Sequence, residues 1–161
     1  MIAALQELPA EARGLSGRIE DGAHRMWMRV YYEDTDAAGL VYYANYLRYA
    51  ERARTEMLRL VDVHQRGLMA ERNLAFAVRN ASVDYRKPAH LDDLLELRSW
   101  ATKASRVQLT IEQSVRHALE DRLIAQVAVR VVCIDLAGRP ARMPDAVAAA
   151  LAPYSQHLER T

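Results

Sequence analysis

The sequence holds a single cysteine, Cys133, among 161 residues, so neither an intrachain disulfide framework nor a thiolate metal cluster can be built from it. That cysteine lies in an apolar, strand-like run and reads as a small buried hydrophobe. No run of about eighteen apolar residues occurs, which leaves no membrane-spanning helix. An excess of one charge is missing too. Lys plus Arg number 22 against 21 Asp plus Glu, and this balance leaves no electrostatic footprint for nucleic acid. H-E-x-x-H, C-x-x-C, the Walker loop and G-x-G-x-x-G are all absent, so metal, redox, nucleoside-triphosphate and dinucleotide chemistry have no signature. Residues 14–17, Gly-Leu-Ser-Gly, fail the G-x-S-x-G spacing of a nucleophile elbow. No basic segment precedes an apolar core at the N-terminus, and Glu7 and Glu11 come too early for a secretory signal. A cytoplasmic setting fits.

What is present organises as one domain, residues 24–152, between a loose extension (1–23) and a tail (153–161). A chain of this length buries a core without staples. Residues 24–33 alternate Met26, Met28, Val30 and Tyr32 against Trp27, Arg29, Tyr31 and Glu33, the pattern of a half-buried strand. Residues 45–61 lack Gly and Pro. Tyr46, Ala50, Ala53, Met57 and Leu60 make one apolar stripe there, with Asn45 a candidate cap. Arg52–Glu56 and Arg48–Glu51 are spaced to pair along the outer face. A short helix within 62–73 and strands at 74–85, 94–104, 107–117 and 123–135 follow. The first of these carries a phase change near Arg79 and Asn80 that suggests a bulge. Residues 123–135 are apolar enough for a central strand covered on both faces, and Pro144 opens a short helix over 145–151. One long helix followed by a run of strands predicts an α+β protein with an antiparallel sheet.

The break between first strand and long helix is where chemistry concentrates. Asp34-Thr35-Asp36 ends the strand, Ala37-Ala38-Gly39 turns, and the helix follows. A carboxylate thus lies near unpaired N–H groups and the positive end of a helix dipole. This suits acyl transfer, with attack from one side and oxyanion stabilisation from the other. Gly39 fits a sharp turn or a close approach to a ligand. Six of the eight tyrosines fall between Tyr31 and Tyr49; they serve a helix–sheet core or, as with Tyr42, border a pocket for an apolar ligand.

The segment YYEDTDAAGLVYYANYLRYAERARTEMLR resembles the signature of hotdog-fold acyl-CoA thioesterases of the 4-hydroxybenzoyl-CoA type, most closely their Tol–Pal-associated (YbgC-like) branch. The likeness extends more loosely to about Pro144. It implies a hotdog fold, a sheet wrapped around the long helix, and metal-independent hydrolysis of acyl-CoA with no cofactor beyond the coenzyme A of the substrate. The catalytic carboxylate falls on Asp36, and the N–H that polarises the thioester carbonyl falls on Tyr43, with Ala44 and Asn45 beside it. Two positions depart from the branch: Ala38-Gly39 stands where many members have Gly-Gly, and Tyr43 where many have His. The resemblance further implies homodimers or homotetramers with the site at the subunit boundary, where Phe76, Val78 and Asn80 of a second copy approach the acyl group. It places Lys103, Ser105 and Arg106 on the coenzyme A phosphates; a solvated hairpin loop is the other reading of those three. An acyl carrier protein or phospholipid-synthesis enzymes are further partners, and a non-catalytic acyl-binding scaffold is the alternative function. Three rival carboxylates remain: Asp34 as a turn cap, and Glu51 and Glu56 as members of ion pairs on the helix.

Overall fold

Helix α1 (Asn45–Leu60) forms where the sequence is free of helix breakers. Sixteen residues are marginal as an isolated helix, so tertiary packing holds it. Tyr46, Tyr49, Ala50, Ala53, Met57 and Leu58 are buried, whereas Leu60, assigned to the stripe from its spacing, is 37% exposed at the last turn. The N-terminal half packs Tyr46, Tyr49 and Ala53 against Leu95, Leu97, Val115 and Ile124. The C-terminal half packs Met57 and Leu58 against Leu109, Ile111, Val129 and Val131. Each such side chain, once buried, contributes about 1.5–3 kcal/mol.

The surface beneath is one six-stranded antiparallel sheet. In this computed structural model, which describes residues 9–155, the strands are β1 (Arg18–Glu20), β2 (Ala23–Arg29), β3 (Leu74–Tyr85), β4 (Leu94–Ala104), β5 (Gln108–His117) and β6 (Leu123–Asp135). Their spatial order is β1-β2-β4-β5-β6-β3. With α1 against one face, this is the α+β hotdog arrangement that the sequence led us to expect. The register of β3 on β6 slips between Val78 and Asn80, a bulge at the expected phase change. β6 pairs on both sides, with β5 and β3. Two short helices complete the domain, α2 (Gln65–Arg72) and α3 (Asp145–Ala150). Among the described residues no helix is long and apolar enough to cross a membrane.

Four expectations need correction. The first strand ends at Arg29; residues Tyr32–Asp34 are a 3-10 turn, and Tyr32, placed on the buried side by alternation, is 84% exposed. The N-terminal extension is not loose throughout. β1 extends the sheet beside β2, and Gly17 before it has φ +75°, with a substituent Cβ only 2.0 Å from the Arg25 carbonyl oxygen. Only glycine fits there. Ser16 next to it donates to Glu56 on α1 at 2.6 Å, and buried His24 bonds the Ser16 carbonyl at 2.7 Å. Burial lowers the His24 pKa, against the opposing influence of that bond and of Glu56. The tail also begins later than expected, because Tyr154 is fully buried and donates its hydroxyl to the Met57 carbonyl at 2.6 Å. Finally, the outer-face pairs on α1 are replaced by others: Glu51 pairs with Arg54, and Glu56 accepts from Ser16.

Candidate active site

The strand-to-helix break is built as two consecutive turns. In the first, the buried Asp34 accepts from the Tyr31 backbone N–H at 2.8 Å. Asp34 therefore caps the chain, as turn aspartates do. The fully buried Tyr49 hydroxyl lies in the field of this carboxylate but outside ordinary hydrogen-bonding reach of it. Burial, and after it the Asp34 charge, raises the Tyr49 pKa far above the ordinary phenol range.

Asp36 sits in the second turn, and its carboxylate is exposed. The Asp36 N–H donates to the Leu40 carbonyl at 2.8 Å, and Gly39 N–H returns to the Asp36 carbonyl at 3.0 Å. One carboxylate oxygen, Oδ1, accepts from Ala38 N–H at 2.8 Å. That contact orients the side chain and leaves Oδ2 without a protein partner among the described residues. Gly39 has φ +74° with open space around a substituent Cβ, so the residue is fixed by backbone conformation rather than crowding.

The chain then enters α1. Tyr42 N–H is taken by the Asp34 carbonyl (2.9 Å) and Asn45 N–H by the Tyr42 carbonyl (2.8 Å). Between them, the N–H groups of Tyr43 and Ala44 find no protein acceptor among the described residues. These are the orphan donors of a helix start, carrying the positive end of its dipole. Asn45 is not the cap, which is Ala44. It is the first helical residue, 7% exposed, and its Nδ2 donates to the Asp34 carbonyl at 2.8 Å. It is a strut locking the turn to the helix.

Aromatic rings surround this mouth. Tyr42 and Tyr43 lie with ring centroids 4.8 Å apart, Tyr43 meets Tyr85 edge-on at 6.3 Å, and Tyr85 meets Tyr46 at 5.6 Å. Tyr85 also donates its hydroxyl to the Tyr43 carbonyl at 3.1 Å. Tyr42, Tyr43 and Tyr85 are exposed, Tyr46 and Tyr49 buried, so these tyrosines divide between surface and core. Tyr85 had no signal in the sequence, since it lies 42 positions along the chain from Tyr43.

The remaining candidates do not join Asp36 within one chain. Phe76 and Val78 line a groove with Met57, Leu58 and Leu109, toward the far end of α1. Met57 lies twelve residues along the helix from Asn45, about 18 Å. Asn80 is exposed on edge strand β3, opposite Arg130. Lys103, Ser105 and Arg106 are exposed around the β4–β5 turn, at the opposite end of β4 from Leu94, which pairs with Arg29; ten strand residues span about 33 Å. Ser105 Oγ accepts from Val107 and Gln108 N–H at 3.4 and 3.2 Å and so closes the hairpin. Glu51 is paired with Arg54 and Glu56 accepts from Ser16, so both carboxylates are engaged away from the Asp36 turn. No cluster of three or more metal-ligating side chains occurs among the described residues.

Known proteins converge on this frame. The family model described as the thioesterase-like superfamily matches residues 30–151. Acyl-CoA thioester hydrolase YbgC of Escherichia coli O6:H1 is 46% identical over 123 residues, covering 76% of this chain and 90% of that protein. Acyl-CoA thioesterase YbgC of Haemophilus influenzae is 42% identical over 125 residues, with 76% of this chain and 90% of that protein covered. Among solved structures, the 1,4-dihydroxy-2-naphthoyl-CoA thioesterase of Synechocystis superposes with a TM-score of 0.76 at 26% identity, covering 80% of this chain and 95% of that one.

Proposed function

The chain belongs to the thioesterase-like superfamily and hydrolyses acyl-CoA thioesters, and from that premise we propose that the Asp36 carboxylate starts the reaction, as nucleophile or as the base that activates water. The thioester carbonyl oxygen points at the free N–H groups of Tyr43 and Ala44, which stabilise the charge it acquires. The carbonyl carbon gains an oxygen, the C–S bond breaks, and free acid and coenzyme A leave. No metal and no cofactor take part. One observation carries this reading: an exposed carboxylate with a free oxygen stands one short turn ahead of two unpaired helix-start donors.

The test is thiol release from short-chain, long-chain and aromatic acyl-CoAs, with an acyl carrier protein thioester included because it presents the same bond. One class is expected to turn over with kcat/KM at least about tenfold above the others, the scale one or two favourable pocket contacts give. Activity on none of them, with binding retained, overturns the assignment of Asp36 as a catalyst.

The site is completed by a second copy of the chain. β3 is a twelve-residue edge strand whose outer backbone groups have no neighbour in the sheet, and proteins cover such edges. A second copy supplies Phe76, Val78 and Asn80 to the acyl group, and Lys103, Ser105 and Arg106 to the coenzyme A phosphates. Sedimentation at assay concentration is expected to show a dimer or tetramer; a fully active monomer ends this part of the proposal. The cytoplasm, where thiols stay reduced, suits a one-cysteine enzyme that releases a thiol.

A further inference from the structure

Beside the Asp36 turn runs a third segment, residues 89–91. Thr35 bridges Val41, and Leu40 bridges His90, both antiparallel. Val41 N–H donates to the Ala89 carbonyl at 2.9 Å, and Leu91 N–H to the Gly39 carbonyl at 3.4 Å. The three segments thus form a small ribbon, and side chains alternate across it. Val41 and Ala89 are buried beneath. Asp36 and His90 are exposed on the other side, with half-buried Leu40 between them. Neighbouring segments are about 4.8 Å apart, which sets the backbones of Asp36 and His90 about 10 Å apart across Leu40. Their side chains stand on the same face of the ribbon, one on each side of Leu40.

Asp93 stands beside the imidazole. Its Oδ2 accepts from the backbone N–H of His90 at 2.9 Å and lies 3.8 Å from His90 Nδ1. Its Oδ1 is 3.6 Å from Nε2 of the buried His117, and Arg122 stands 4.0 Å from Oδ2. His117 Nδ1 accepts from Glu120 N–H at 3.2 Å, so its proton is on the nitrogen that faces Asp93. Asp93 thus accepts one hydrogen bond here, from the His90 backbone, with the His117 and Arg122 side chains nearby. The carboxylate on the Nδ1 side of the ring leaves Nε2 as the working nitrogen.

We propose that His90 is the proton carrier of the hydrolysis. As the C–S bond breaks, Nε2 gives its proton to the departing sulfur, so that coenzyme A leaves as a thiol; the oxygen of the attacking water stays on the acyl carbon, its proton leaves by way of Asp36 to solvent, and the ring is reprotonated from solvent. The inference rests on Asp36 as the catalytic carboxylate. It adds the second half of an acid–base pair on the far side of the scissile bond.

The His90 side chain is 54% exposed and packs in no core cluster, while the ribbon is held through its backbone, so substitutions there leave the fold intact. With the acyl-CoA that the wild-type protein turns over fastest, His90→Gln is expected to lower kcat about a hundredfold, the lower range of general-acid catalysis, with little change in KM. His90→Ala in buffered imidazole is expected to regain about a tenth of the wild-type kcat or more, as a freely diffusing acid replaces the missing one. Asp36→Asn stays inactive in the same imidazole. A His90→Gln kcat within about threefold of wild type, a loss confined to KM, or a deficit that imidazole does not repair overturns the proton-carrier role. Full activity of Asp36→Asn instead overturns the carboxylate assignment, which separates the two failures.

Discussion

Asp36→Asn is expected to lower kcat and kcat/KM together by about a hundredfold or more, with thermal stability unchanged. The substitution isolates charge from shape. Oδ1 of Asp36 holds the turn by accepting from Ala38 N–H, and an amide oxygen performs that task equally well. Oδ2, without a protein partner among the described residues, becomes an amide nitrogen that can neither attack a carbonyl nor take a proton from water. Because the side chain is exposed, its replacement opens no cavity and strands no buried group. The deficit therefore belongs to the transition state. Thiol-release kinetics beside a melting curve decide the matter: turnover within about tenfold of wild type sinks Asp36 as the catalytic carboxylate.

The sequence exposed this site because its signals are local. An acidic turn, a glycine and a breaker-free helix lie within thirty consecutive residues, and each has a short-range physical cause. The strands were legible for the same reason: β4 and β6 run over 94–104 and 123–135, where alternating or continuous apolar character predicts them. What was hidden depends on distant pairing. His90 and Tyr85 carry no local signal: the first meets the site only because its loop bridges Leu40, the second because its hydroxyl reaches the Tyr43 carbonyl. β1 has three residues, too few for a period, and exists because Gly17 lets the chain close on Arg25. Asn45 deceived for a different reason. Its type is favoured for a cap, but the Asp34 carbonyl took its amide first. The alternation of β5 carried one unused warning: Gln113 falls on the inward-facing side with Leu109, Ile111 and Val115, and a polar residue there needs buried partners.

Those partners make Gln113 a position of large expected cost to stability. Its Oε1 accepts from Nη1 of buried Arg54 at 2.8 Å, and its Nε2 donates to the Ala50 carbonyl and to Ser99 Oγ, both at 2.9 Å. Gln113 and Ser99 are fully buried and Arg54 is 8% exposed. Helix α1 is thereby pinned to β4 and β5 through one amide. Gln113→Leu matches the volume but leaves Arg54 Nη1 without its acceptor in a dry interior, and Glu51 on the other nitrogen repairs only part of the loss. The expected destabilisation is about 2–4 kcal/mol, a fall in Tm of roughly 10 °C for a chain of this size. Arg54→Met added to Gln113→Leu removes the stranded charge together with its lost partner, and is expected to recover about half of the deficit because an apolar pair asks for no hydrogen bonds. Denaturant titration of the wild type, both single variants and the double variant measures this coupling. Additive costs in the double variant, or a Gln113→Leu change under about 1 kcal/mol, contradict the network as described. At temperatures where the single variant stays folded, its kcat is expected to match wild type. Tyr46 and Tyr49 pack the N-terminal half of α1 independently of Gln113, and the donors at Tyr43 and Ala44 lie about 15 Å along the helix from Arg54.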